Sequence, residues 1–150
     1  MIIISVGKDH DPIYKDALDH FEKRLKMYTK LSWSIIKPSG LEESDARKDE
    51  SARIMKQIKP QDFVLLLDEN GNNMKSIEIA NLIEKCNVNS RAISVIIGGA
   101  YGVDESIKNR ADCVLAFGKS AFPHQLMRVM VVEQMYRAYS ILAGSLYHHE

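Results

Sequence analysis

"AISVIIGGAYGVDESIKNRADCVLAFG", residues 92–118, contains a complete folding unit. The run from Ile93 to Ile97 is apolar at nearly every position instead of alternating, the pattern of a strand buried on both faces. Glycines at 98, 99 and 102 interrupt it, Asp104 supplies a carboxylate that can start a short helix, and "DCVLAFG" (112–118) is a second strand. A helix between two strands joins parallel neighbours, because an antiparallel pair needs only a tight turn.

The same alternation extends outward in both directions. Strands are expected at "IIISV" (2–6), "LSWSII" (31–36) and "DFVLLLD" (62–68). Pro12 after Asp11 opens a helix in which Ile13, Ala17, Leu18, Phe21 and Leu25 recur at helical spacing. The charged stretch 41–58 reads as a solvated helix that keeps Ala46, Ile54, Met55 and Ile58 for the core, and Ser76 is placed to cap a helix carrying Ile79, Leu82 and Ile83. These elements specify an α/β fold, a mostly parallel sheet with helices on both faces. The 150 residues correspond to one domain, 1–150, large enough to bury about two-thirds of its unfolded surface.

Composition narrows the function. Twenty basic and twenty acidic residues balance to a formal charge of zero, which removes any global electrostatic case for nucleic acid. RNA binding would rest on a local patch, or on one assembled from more than one chain. The N-terminus reads as a strand, not a leader, and the apolar stretches fall short of the roughly 20 residues that span a bilayer. Cys86 and Cys113 are too far apart for a CxxC motif, in keeping with a reducing cytoplasm. Histidines at 10, 20, 124, 148 and 149 form no HxxxH or HExxH spacing, so neither a metal nor a membrane is expected.

In such sheets ligands sit beyond the carboxyl ends of the strands. Three stretches qualify: "LLLDENG" (65–71), "IIGGAYGVD" (96–104) and "AFGKSAFPH" (116–124). The glycines do not match GxGxxG and no P-loop occurs; they permit close backbone approach to a flat ligand, or else a tight strand-to-helix turn. Asp68 either meets a ligand or caps its own turn. The small residues between Phe117 and Phe122 suit an adenine ring, or pack as a hydrophobic loop. The last long helix, "FPHQLMRVMVVEQMYRAYSIL" (122–142), is apolar all round, apart from a narrow polar strip holding Glu133, Arg137 and Ser140. Arg128 stands away from that strip, where a guanidinium is tied to a carboxylate or marks an anionic ligand.

Taken together, "VGK" (6–8), "LLLDENG" (65–71), "IIGGAYG" (96–102), "FPHQLMRVMVVEQMYRA" (122–138) and the terminal "YHHE" resemble, in this order and spacing, the RlmH-type members of the SPOUT class of methyltransferases. The resemblance covers the whole chain. It implies a C-terminal trefoil knot (the alpha/beta knot of the SPOUT fold), a homodimer, and S-adenosyl-L-methionine as methyl donor for N3 of a pseudouridine of 23S ribosomal RNA in the assembled ribosome. Leu67, Gly98, Gly99 and the run Phe117, Gly118, Lys119, Ser120, Ala121 and Phe122 would line the cofactor. His148 with Tyr147 would orient the base and take its proton. Lys8, Arg24, Lys26, Arg128, Arg137 and His149 would meet RNA, His149 standing where similar tails carry Lys or Arg. The implied dimer would cover the second apolar side of the long helix. The rival reading is a non-catalytic nucleotide- or ribosome-binding α/β module.

Overall fold

The computed structural model describes residues 1–145. Five strands, β1 (Ile2–Val6), β2 (Ser32–Ile36), β3 (Phe63–Asn73), β4 (Ile93–Ile97) and β5 (Cys113–Ala116), alternate with helices α1 (Pro12–Leu25), α2 (Glu43–Met55), α3 (Ser76–Val88), α4 (Glu105–Arg110) and α5 (His124–Leu142). The sheet order is β2-β1-β4-β3-β5 and every pairing is parallel. Ile2 faces Ser32 on one side and Ser94 on the other, and Phe63 faces Ile93.

The period of two along the strands divides the core into two layers. Ile3, Leu65, Val95 and Leu115 point to one face and pack with α1, α3 and α5. Ile4, Val64, Leu66 and Ile96 point to the other and meet Ile54 of α2 and Ile107 of α4. All five residues of β4 are buried, which explains its continuous apolar run.

Local choices follow familiar chemistry. Asp11 caps α1 by accepting from the Ile13 N–H at 2.9 Å, with Pro12 in the first turn. Asp104 caps α4 by accepting from the Ser106 and Ile107 N–H groups. Other expectations need correction. Ser76 does not cap α3: Lys75 takes that place, the Glu78 carboxylate accepts its N–H at 2.7 Å, and the Ser76 hydroxyl donates to Gln134 instead. In α1, Ile13 and Ala17 face solvent, leaving Leu18 and Leu25 as its buried residues, because one edge of the helical stripe overhangs the sheet. β3 runs on past Asp68 with a register shift between Leu67 and Asn72, so that both face Leu115.

α5 buries much of its apolar surface within its own chain. It lies in one layer with α1 and α3 and packs against both. Its apolar girth is therefore covered by the sheet and two flanking helices of its own chain, and a second chain is not needed to explain Val129, Val131, Val132, Met135 and Ala138. The strip left half-buried runs through Leu126, Met130, Glu133 and Arg137.

At the amino edge of the sheet, Asp112 fastens β5 to β3. It accepts from the Val64 N–H at 2.8 Å and pairs with Arg91 at 2.9 Å and Arg110 at 3.2 Å. Burial pushes its carboxyl up, but these donors outweigh it and hold the pKa below the ordinary aspartate value. A depressed folded-state pKa contributes stability above the unfolded pKa, lost as pH falls through the folded value. Asp112→Asn is expected to flatten the loss of stability below about pH 4, where a free aspartate titrates, measured as the change in urea midpoint with pH; parallel curves for the two chains would exclude this role.

Candidate functional site

A cleft of about 460 Å³ opens at the carboxyl ends of β3, β4 and β5. It is built from the loops that follow three adjacent strands, where an open parallel sheet offers a crevice. Leu67, Gly98, Gly99, Phe117, Gly118, Ser120, Ala121 and Phe122 all line it. Lys119 is exposed and does not. Fifty residues separate Leu67 from Phe117 in sequence, yet Leu67 pairs with Leu115, two positions before the phenylalanine.

The glycine pair is dictated by close approach. A Cβ on Gly98 would lie 3.0 Å from Val103 Cγ1, and one on Gly99 would collide with the buried Glu50 carboxylate. Gly102, at a φ of +77°, donates its N–H to the Gly99 carbonyl at 2.9 Å and closes the turn. The tight turn is realised, and it leaves bare backbone on the wall of the cleft. Asp68 caps its own turn, accepting from the Asn70 N–H at 2.9 Å, and lines the cleft.

Sequence reading missed several lining residues. Arg47 reaches the cleft from α2 and Lys108 from α4, giving it two cations beside Asp68 and Glu69. Their helices look solvated in sequence, and only the tertiary arrangement brings these side chains to the cleft. His124 and Met127, from the first turn of α5, complete one side. Desolvation, and then the charge of Arg128, lower the His124 pKa; Glu50 and a hydrogen bond to the Gly98 backbone oppose them without prevailing.

Arg128 is wholly buried. Its Nε donates to the Ser5 hydroxyl at 3.0 Å and its Nη1 to the Lys8 carbonyl at 2.9 Å, with His10 Nδ1 and Gln125 Oε1 at 3.4 Å. Among the described residues it forms no carboxylate ion pair, and with no exposed surface it pins the loop after β1 to α5. Arg137 is paired with Glu133 at 2.6 Å, and Arg24 lies 5.3 Å from the Tyr136 ring centre. The proposed basic patch is therefore not one surface. Lys8 lies at the carboxyl edge, whereas Arg24 and Lys26 end α1 and Arg137 sits well along α5, because both helices run back toward the amino edge. Tyr147, His148 and His149 lie outside the described residues. Among the described residues no helix is long and apolar enough to cross a membrane, and no group of three or more His, Cys, Asp or Glu side chains could hold a metal ion.

The backbone walls and the flanking aromatics form a cradle of the size small-molecule sites have. The family model described as "Predicted SPOUT methyltransferase" matches residues 1–148, and the chain belongs to that family. Among its relatives is the ribosomal RNA large subunit methyltransferase H of Nitratidesulfovibrio vulgaris (strain DP4), 38% identical over 99% of this chain and 97% of that protein. Another is its namesake in Clostridium botulinum (strain Kyoto / Type A2), 41% identical over 97% of each. The solved structure of a probable methylase family protein from Haemophilus influenzae shares the fold, with a TM-score of 0.52 over 99% of this chain and 70% of that one, at 9% identity.

Proposed function

We propose that this chain methylates N3 of a pseudouridine of 23S ribosomal RNA in the assembled ribosome, as a cytoplasmic homodimer using S-adenosyl-L-methionine. The observation that supports the reading is the convergence on one cleft of eight residues that the resemblance implies as cofactor contacts. When bound, the cofactor supplies a methyl group already activated on a sulfonium. The protein's work is positioning, which contributes roughly 7–11 kcal/mol in favourable cases. Phe117 and Phe122 would bracket the adenine, the bare backbone of Gly98 and Gly118 would accept its close approach, and His124 and Met127 of the first turn of α5 would bound the cleft on one side. His148, with Tyr147, takes the N3 proton. The trefoil knot and the dimer belong to the same reading, with the strip through Leu126 and Met130 as the face of α5 left for a second chain.

Zero net charge favours an assembled particle over free RNA as substrate, since without a global field free RNA is held only weakly, through local contacts. The test is transfer of labelled methyl to ribosomes from cells lacking this protein, beside isolated ribosomal RNA, with the product mapped by mass spectrometry. Label at one pseudouridine of the assembled ribosome is the expected result. No label on either substrate, with cofactor binding intact, would replace the enzyme by a ligand-binding module.

A further inference from the structure

A second crevice, of about 680 Å³, opens at the carboxyl ends of β1 and β2, outside the cofactor cleft. α1 leaves β1 on one face of the sheet and α2 leaves β2 on the other, so the chain parts here as it does at a ligand-binding switch point. Pro12, Ile35 and Pro38 give it apolar walls, and Lys8 and Lys37 contribute one ammonium from the end of each strand. The acidic groups on it are Asp9 and Asp11, and the Asp11 carboxylate already accepts from the Ile13 N–H.

The loop carrying Lys8 is held from both directions. Gln125 donates its amide to the Asp9 carbonyl at 2.9 Å and accepts the Asp11 N–H at 3.2 Å, and Arg128 takes the Lys8 carbonyl. Gly7, at a φ of +145°, lies directly on the guanidinium: a Cβ there would come within 3.0 Å of Nη2, a buried nitrogen that meets no acceptor among the described residues. His10 lines the crevice and faces Arg128 through Nδ1, which must accept, leaving its proton on Nε2. A preformed loop with a buried cation beneath it and ammoniums over apolar walls suits a phosphate ester joined to a flat apolar group. The first turn of α5 lies between the two cavities, Gln125 on this one and His124 and Met127 on the cofactor cleft.

We propose that this crevice seats a nucleotide of the RNA flanking the modified base, its phosphate on Lys8 and Lys37 and its sugar or base against Pro12, Ile35 and Pro38; this rests on the RNA methylation reading. The probe is a fluorescent single-stranded oligouridylate titrated into the full chain. The Lys8→Ala/Lys37→Ala variant is expected to lose about tenfold in affinity and to flatten the salt dependence by the equivalent of about two phosphate contacts, and to raise the KM for ribosomes. Calorimetric affinity for S-adenosylmethionine stays unchanged, and Lys56→Ala, at the opposite edge of the sheet, behaves as the parent. An unchanged oligonucleotide affinity, or no binding by the parent chain at all, overturns the crevice while leaving methyl transfer standing. Loss of oligonucleotide binding in the double variant of a chain that methylates no ribosome retains the crevice and sinks the methylation reading instead.

Discussion

Gly71→Ala is expected to destabilise the fold by about 1–3 kcal/mol and to weaken S-adenosylmethionine binding with it. A Cβ at this position would lie 2.7 Å from the Leu115 carbonyl carbon, 2.8 Å from that of Val114 and 2.9 Å from the Leu115 nitrogen. All three atoms are backbone, so no rotamer change relieves the overlap, and the bulge of β3 must move off β5. β5 continues through Ala116 into the 117–122 loop, so the displacement reaches the wall of the proposed cofactor cleft. Gly40 provides the contrast: it sits at a φ of +75° with nothing within 4 Å, so alanine there meets only backbone strain. Urea midpoints and cofactor titrations of the two variants would separate these causes. Parental values for Gly71→Ala in both would show that β3 and β5 are not held by this approach.

Arg128→Met should lower stability by on the order of 3–5 kcal/mol, the combined effect of several buried acceptors left unmatched at about 1–3 kcal/mol each. The Ser5 hydroxyl and the Lys8 carbonyl lose a charged donor, and the loop from Gly7 to Asp11 is left to Gln125 at Asp9 and Asp11 and to the Gly7 N–H on the Ile36 carbonyl. Arg128→Lys should recover only a part, since an ammonium lacks the planar fork that serves Ser5 and Lys8 together. Ser5→Ala, which removes one acceptor, should be milder. A methionine variant as stable as its parent would mean that the burial cost of the cation, with Nη2 unmatched, cancels its hydrogen bonds.

The cleft beyond β3, β4 and β5 was largely legible because its residues are adjacent to strand ends, and strand ends are what hydrophobic runs delimit best. Glycines at 98 and 99 stop β4, and Phe117 follows the last residue of β5. Lys119 lies off the cleft for a local reason: in a loop of small residues, backbone direction decides which side chains face inward, and no periodicity encodes it. Arg47 and Lys108 were missed because a cation on a charged helix has the same appearance whether it meets solvent or a cleft. Where the basic residues lie was not legible, because the reach of a charge depends on how far along its helix it sits, and Lys8, Arg24 and Arg137 stand at different points along their layer.

By itself the sequence determined the α/β class, nearly every element and its order, and the loops that form the principal cleft, since burial and turn chemistry are local properties of the chain. Only the tertiary structure decided the strand order, the placement of α5 between α1 and α3, and the fate of Arg128. Those depend on which surfaces meet, and an apolar helix face or a lone guanidinium carries the same signature whether a second chain, a nucleic acid or its own β1 lies against it.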